Sequence, residues 1–204
     1  MASDHYFSGT PDSALKPRRI TVEINGRSVT LGTVGGIFSP DRLDLGTSVL
    51  LRAVPPAPTT GDLLDLGCGW GPISLTLAEQ SPDATVWAVD VNERALETVR
   101  RNAADLGLTN IRAVTPDEVP SEIRFATIWS NPPIRVGKNE LHGMLNRWLP
   151  RLEPLGEAWL VVQRNLGSDS LHRWLDDEFT ELLSVERAAT SKGFRVLRAQ
   201  RRRS

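Results

Sequence analysis

From residue 61 to residue 204 short apolar runs alternate with segments of helical period, and this alternation restricts the fold more than any other feature of the chain. The runs Leu63–Leu66, Thr85–Val89, Ile111–Val114, Phe125–Trp129 and Ala158–Val162 read as strands. They are too short for helices, and turn residues bound them. Helices are expected over Pro72–Glu79, Glu93–Leu106, Glu140–Leu152 and Ser170–Glu178, with two short strands near 181–187 and 194–199. Gly107 closes the second of these helices, while Pro154 and Gly156 separate the third from the strand after it. Strands that alternate with helices pair in parallel, with helices on both faces of the sheet.

Upstream the pattern differs. Ile20–Ile24 and Ser28–Leu31 alternate with period two around Asn25-Gly26, which predicts a β-hairpin. Residues 1–18 are polar and are expected to be irregular. Val34–Leu45 reads as a loop, and Thr47 is the expected cap of a helix that ends before Pro55. Two regions result: a hairpin and helical extension over 1–60, packed on an α/β domain over 61–204.

Asp65-Leu66-Gly67-Cys68-Gly69-Trp70-Gly71 lies between a strand and a helix. A turn this tight needs residues without a Cβ, to reach positive φ and to admit a ligand to the backbone. In open α/β sheets such turns lie at the carboxyl ends of strands, where nucleotide-like cofactors bind. The spacing G-x-G-x-G followed by Pro72 departs from the dinucleotide fingerprint, which wants its third glycine where Pro72 stands. Together with Asp65 inside the strand, this favours S-adenosylmethionine over a nicotinamide. Asp90 ends the next strand and can accept hydrogen bonds from both ribose hydroxyls. Asp117 follows the third strand, where an adenine would lie.

Ser130-Asn131-Pro132-Pro133-Ile134 follows the fourth strand. Two prolines stiffen the turn and push Asn131 toward extended backbone. One amide side chain and one backbone carbonyl can then accept hydrogen bonds from a planar NH2 group. Holding that nitrogen in line with a methyl donor is catalysis by orientation. In related sites the residue after Asn-Pro-Pro is often an aromatic that stacks on the substrate base; here it is Ile134, so Trp129, Arg135 and Lys138 are the nearby candidates to hold the substrate.

These motifs resemble the small-domain family of ribosomal RNA guanine-N2 methyltransferases (RsmC-like), class I enzymes, in its short single-domain form. His5–Ser8, Gly36–Ser39, Leu43–Thr47, Asp65–Pro72, Asn131–Lys138, Val161–Arg164 and Ser191–Phe194 carry the resemblance, which spans nearly the whole chain. It implies a Rossmann-like, seven-stranded, mostly parallel sheet with an antiparallel last strand. It implies S-adenosylmethionine as cofactor, and ribosomal RNA or a ribosomal subunit as partner. Cofactor contacts are implied for Phe38, Asp44, Gly46, Thr47, Asp65, Gly67, Cys68, Gly69, Gly71, Asp90, Val91, Asp117 and Asn131. Catalysis falls to Asn131, Pro132, Pro133 and Ile134, and substrate binding to Arg135 and Lys138. Two departures concern the substrate: long members carry a second N-terminal domain where this chain has a hairpin, and many have Asp at the position of Ala126.

Composition narrows the remaining choices. One cysteine in 204 residues excludes an intramolecular disulfide and a cysteine-built zinc site. Cys68 reads as a small core residue, not a nucleophile. The scattered His5, His142 and His172 mark no metal centre, and Trp148, Trp159 and Trp174 read as core. The polar Met1–Phe7 lacks a signal peptide's apolar region, and no stretch is apolar enough to span a membrane, so a cytoplasmic location is expected. A net charge of −1 is unusual for a protein held mainly by phosphates, and Arg201–Arg203 read as a solvated tail. Two alternatives stay open: methylation of a protein glutamine amide or small molecule, and non-catalytic cofactor binding.

Overall fold

The computed structural model describes residues 18–203. The His5–Ser8 signature and the irregular start lie outside that range, except that Arg18 already belongs to the first strand. Strands β1 (Arg18–Ile24) and β2 (Arg27–Thr33) form the expected hairpin, with Asn25 and Gly26 both at positive φ. Helix α1 (Leu45–Ala53) follows. Its cap is Asp44, not Thr47: Asp44 Oδ2 accepts the Thr47 N–H at 3.1 Å.

The α/β body continues with β3 (Thr60–Leu66), α2 (Pro72–Gln80), β4 (Asp83–Val89), α3 (Glu93–Asp105), β5 (Ile111–Val114) and β6 (Phe125–Ser130). It ends with α4 (Lys138–Trp148), β7 (Leu152–Gln163), α5 (Ser168–Glu178), β8 (Leu183–Ser191) and β9 (Phe194–Arg201). The order across the sheet is β5-β4-β3-β6-β7-β9-β8. All neighbours pair in parallel except β9, which runs antiparallel to both β7 and β8.

Several boundaries differ from the sequence reading. Pro154 and Gly156 lie inside β7, not before it: the strand tolerates them where its register against β6 shifts between Phe125 and Thr127. A Cβ on Gly156 would meet three backbone carbonyl oxygens, at 2.9, 2.9 and 3.1 Å. The last two strands are longer than predicted. Of the C-terminal arginines, Arg201 is tied down rather than free: it donates to the carbonyls of Pro150 and Leu152, and the Arg202 N–H donates to the Leu182 carbonyl, while Arg202 and Arg203 are exposed.

The hairpin is fastened to the body. Ile24 and Leu31 bury against Trp70, Leu75, Ala95 and Ala103 of the glycine turn, α2 and α3. Buried Asn102 on α3 accepts the Gly32 N–H at 2.8 Å and donates to the carbonyls of Gly32 and Trp70, each at 3.0 Å. One amide thus satisfies the backbone of two segments that are far apart in sequence.

Candidate active site

The chain leaves β3 toward β4 on one side of the sheet and later enters β6 on the other. The carboxyl ends of β3 and β6 therefore flank the topological switch point, where open α/β sheets bind ligands. Ser130 Oγ bridges the two ends by donating to the Leu66 carbonyl at 2.7 Å. A cleft of about 1150 Å³ opens there, with the glycine turn as its floor and the Asn131 segment as one wall.

Three glycines shape the floor. Gly67, Gly69 and Gly71 have φ of +79°, +55° and +96°. A Cβ on Gly69 would enter space with no atom within 4 Å, so the turn keeps a hollow that a side chain would fill. Gly71 is constrained from the other side, since a Cβ there would lie 3.0 Å from Val99 Cγ2. The turn is also tied to β4: the N–H groups of Gly67 and Cys68 both donate to the Val89 carbonyl.

Two carboxylates underpin this arrangement in different ways. Asp90 lines the cleft, with Oδ1 accepting the Asn92 N–H at 2.9 Å and Oδ2 the Gly69 N–H at 3.0 Å. Each oxygen keeps acceptor capacity for a further donor. Burial raises its pKa, and the bonds from Asn92 and Gly69 oppose that rise. The neighbouring Asn92 caps α3. Asp65 is wholly buried and stands behind the turn, not among the residues that line the cleft. Its Oδ2 accepts both the N–H and the hydroxyl of Ser74, fixing the first turn of α2, whereas Oδ1 has no partner. Burial pushes the Asp65 carboxyl up to about 7, against the lowering effect of the Ser74 bonds. Burial and the two carboxylates also hold the Cys68 thiol well above its ordinary value, so it stays protonated and inert.

Asn131 forms the opposite wall. Its Nδ2 donates to Asp44 Oδ2 at 2.8 Å and to Thr47 Oγ1 at 3.0 Å. Beyond it, Pro133 (φ −75°, ψ 77°) centres an inverse γ-turn in which the Ile134 N–H donates to the Pro132 carbonyl at 2.9 Å. That carbonyl is thus half engaged and keeps one lone pair. Ile134 packs against the main core.

The structure brings most of the expected residues together. Phe38, Asp44, Thr47, Gly67, Cys68, Gly69, Asp90, Val91, Asn131, Pro132, Pro133 and Ile134 all line the cleft. Gly46 lies just behind it, beneath Asn131. Others stand apart. Asp117 is turned outward and pairs with Arg147 at 2.9 Å, leaving its neighbour Pro116 to line the cleft. Lys138 starts α4 and does not line the cleft. Trp129 is sealed in the core and can clamp no substrate. Sequence reasoning missed the stretch of wall beside Asn131, where Gln163 and Phe194 meet in register across β7 and β9. It also missed Trp70, whose ring N–H holds the Ser39 carbonyl and so draws the loop bearing Phe38 over the cleft. Trp148, read as core, is buried yet also lines the cleft.

Residues 28–198 match the family model described as methyltransferase small domain. The chain belongs to this family. It is 33% identical over 202 residues to the uncharacterized protein YbxB of Bacillus subtilis (strain 168), covering 98% of this chain and 99% of that one. It is 36% identical over 135 residues to ribosomal RNA small subunit methyltransferase C of Aeromonas hydrophila, covering 65% of this chain but 38% of that protein. The chain thus spans well under two thirds of that longer family member. Among solved structures, the T. thermophilus 16S rRNA N2 G1207 methyltransferase (RsmC), in complex with AdoMet and guanosine, aligns with a TM-score of 0.80 at 25% identity, over 93% of this chain and 52% of that one. The M. jannaschii tRNA m1G37 methyltransferase shares the fold at 16% identity and a TM-score of 0.61.

Proposed function

We propose that the protein uses S-adenosylmethionine to methylate the exocyclic N2 amino group of guanine in ribosomal RNA. The observation that carries this reading is the Asn131 amide, locked with its nitrogen toward Asp44 at the end of a cleft floored by a glycine turn. Likeness to an RsmC enzyme solved in complex with AdoMet and guanosine supports it. Residues 1–60 are read as an extension packed on a cofactor-binding domain over 61–204.

The residues present fit the cofactor. The hollow over Gly69 admits a ligand to the backbone, and the spare lone pairs of Asp90 suit vicinal hydroxyls. Exposed Val91 and Phe38 offer apolar surface beside them. Among the described residues, Asp44, Asp90 and Glu140 line the cleft against the one guanidinium of Arg147, a balance that favours a cationic ligand. When bound, S-adenosylmethionine supplies an activated methyl on a sulfonium. The protein's part is orientation: Asn131 Oδ1 and the Pro132 carbonyl accept the two N–H bonds of the amino group, which turns its lone pair toward the donor.

The decisive comparison is bulk RNA from cells with and without the gene, digested and analysed as nucleosides by mass spectrometry. N2-methylguanosine should fall without the gene and return with the wild type but not with Asn131→Ala. An unchanged profile would sink the RNA reading. One observation favours a second reading, methylation of a glutamine amide or a small molecule: Ile134 packs into the core and offers no stacking ring for a base.

A further inference from the structure

We propose that Asp44 is a positioning residue that sets which end of the Asn131 amide faces the substrate, and thereby makes the site select an NH2 group. The proposal rests on the methyl-transfer reading above and deepens it.

An asparagine amide has two ends of similar shape and opposite hydrogen-bonding sense, so its orientation must be imposed from outside. Here it is imposed by a group 87 residues upstream in the chain. An ionised carboxylate only accepts hydrogen bonds. Asp44 can therefore face Nδ2 of Asn131 but not Oδ1. Buried Thr47 reinforces the choice, its hydroxyl oxygen lying 3.0 Å from the same nitrogen. With both contacts made by Nδ2, the oxygen is left as the hydrogen-bonding end of the amide still to be used. A carbonyl or an unprotonated ring nitrogen placed against it would meet lone pair with lone pair. An amino group donates to it.

The packing around the pair is shaped for this contact. Gly46 lies beneath it, and a Cβ there would come within 2.9 Å of Asp44 Oδ2, 2.9 Å of Phe194 Cε1 and 3.3 Å of Asn131 Nδ2. The position is helical, so glycine is required there for room rather than for its backbone conformation.

Asp44 has a second role as the cap of α1, and one oxygen serves both: Oδ2 accepts from Thr47 N and from Asn131 Nδ2. Substitutions can separate the roles. Serine caps helices well but is too short to reach Asn131. Asparagine presents an amide oxygen at the same place, held there by the Thr47 N–H, and so serves both. With saturating cofactor and RNA stripped of N2-methylguanosine, Asp44→Ser should lose turnover on the order of 10²-fold, as expected for a misplaced reactant. Its melting temperature should stay close to wild type, the saturating cofactor offsets any affinity lost with this cleft-lining carboxylate, and Asp44→Asn should recover most of the lost turnover. Asp44→Thr replaces the serine variant should that one fold poorly.

A second readout needs no substrate. In ¹⁵N-edited spectra the Asn131 side-chain NH2 pair, identified by its loss in Asn131→Ser, should be shifted from free amide values in wild type and Asp44→Asn and should collapse toward them in Asp44→Ser. Wild-type turnover in Asp44→Ser, equal impairment of Asp44→Ser and Asp44→Asn, or an unmoved NH2 pair in Asp44→Ser would overturn the proposal. A wild-type enzyme that ignores RNA while the NH2 pair responds as described would refute the RNA reading and leave the role of Asp44 standing.

Discussion

The N–H of Gly69 donates to Asp90 Oδ2 at 3.0 Å, and this bond joins the turn after β3 to the end of β4. The two halves of the cofactor cradle are thereby held by a group that would itself bind the cofactor. Asp90→Ala should weaken S-adenosylmethionine binding about 10²-fold, through loss of charge-assisted hydrogen bonds of about 1.5–3 kcal/mol each. Isothermal titration checks this, and a variant that binds like wild type would remove Asp90 from the cofactor site.

Asp65 predicts a pH dependence of stability. Its carboxyl sits at about 7 in the folded protein against 3.8 for a free aspartate, because burial disfavours the charge. A raised folded value means that the folded state binds this proton more tightly than the unfolded state. The stability is therefore fully present below pH 3.8 and is lost as the pH rises through about 7. The shift of roughly three pH units at ~1.4 kcal/mol each caps the loss at about 4 kcal/mol. Asp65→Asn removes the titration. The wild-type minus variant difference in unfolding free energy should fall across this window, and a flat difference would count against the raised value.

Gly46→Ala tests the space beneath Asn131. The exchange gains about 1 kcal/mol of helix propensity and incurs about 1–3 kcal/mol of overpacking. Stability should thus change little or fall by up to about 2 kcal/mol, while turnover drops much further because the Asp44–Asn131 contact is displaced. Thermal melts alongside kinetics separate the two effects.

Asn102→Ala should cost about 2 kcal/mol or more, since the Gly32 N–H and the carbonyls of Gly32 and Trp70 lose their partner together. Denaturant titration reads the loss. Limited proteolysis should find new cleavage in the hairpin, and an unchanged digestion pattern would show that the apolar contacts of Ile24 and Leu31 hold it unaided.

Much of this was legible in the sequence, and what was not has physical reasons. The hairpin around Asn25-Gly26, the parallel strands, the glycine turn and the Asn131 turn are local, and each carries its own signal of periodicity or special backbone. The wall of Gln163 and Phe194 is not local. It depends on β9 inserting between β7 and β8, and nothing in the spacing of the last two strands sets that order. Thr47 reads as a helix cap because it is the right residue type, yet Asp44 takes the position and Thr47 turns its hydroxyl to Asn131. Asp117 reads as an adenine contact, but its carboxylate is exposed and pairs with Arg147, thirty residues away.

The reversed direction of β9 has a consequence for the order of folding. Because β9 runs against the parallel strands, its first residue, Phe194, arrives at the edge where those strands end. The cleft is therefore assembled from segments nearly 160 residues apart, from Ile37 to Phe194, and contacts of such separation form slowly. During refolding, helical signal should return before cofactor uptake, which makes ligand binding a clock for the last hairpin to dock.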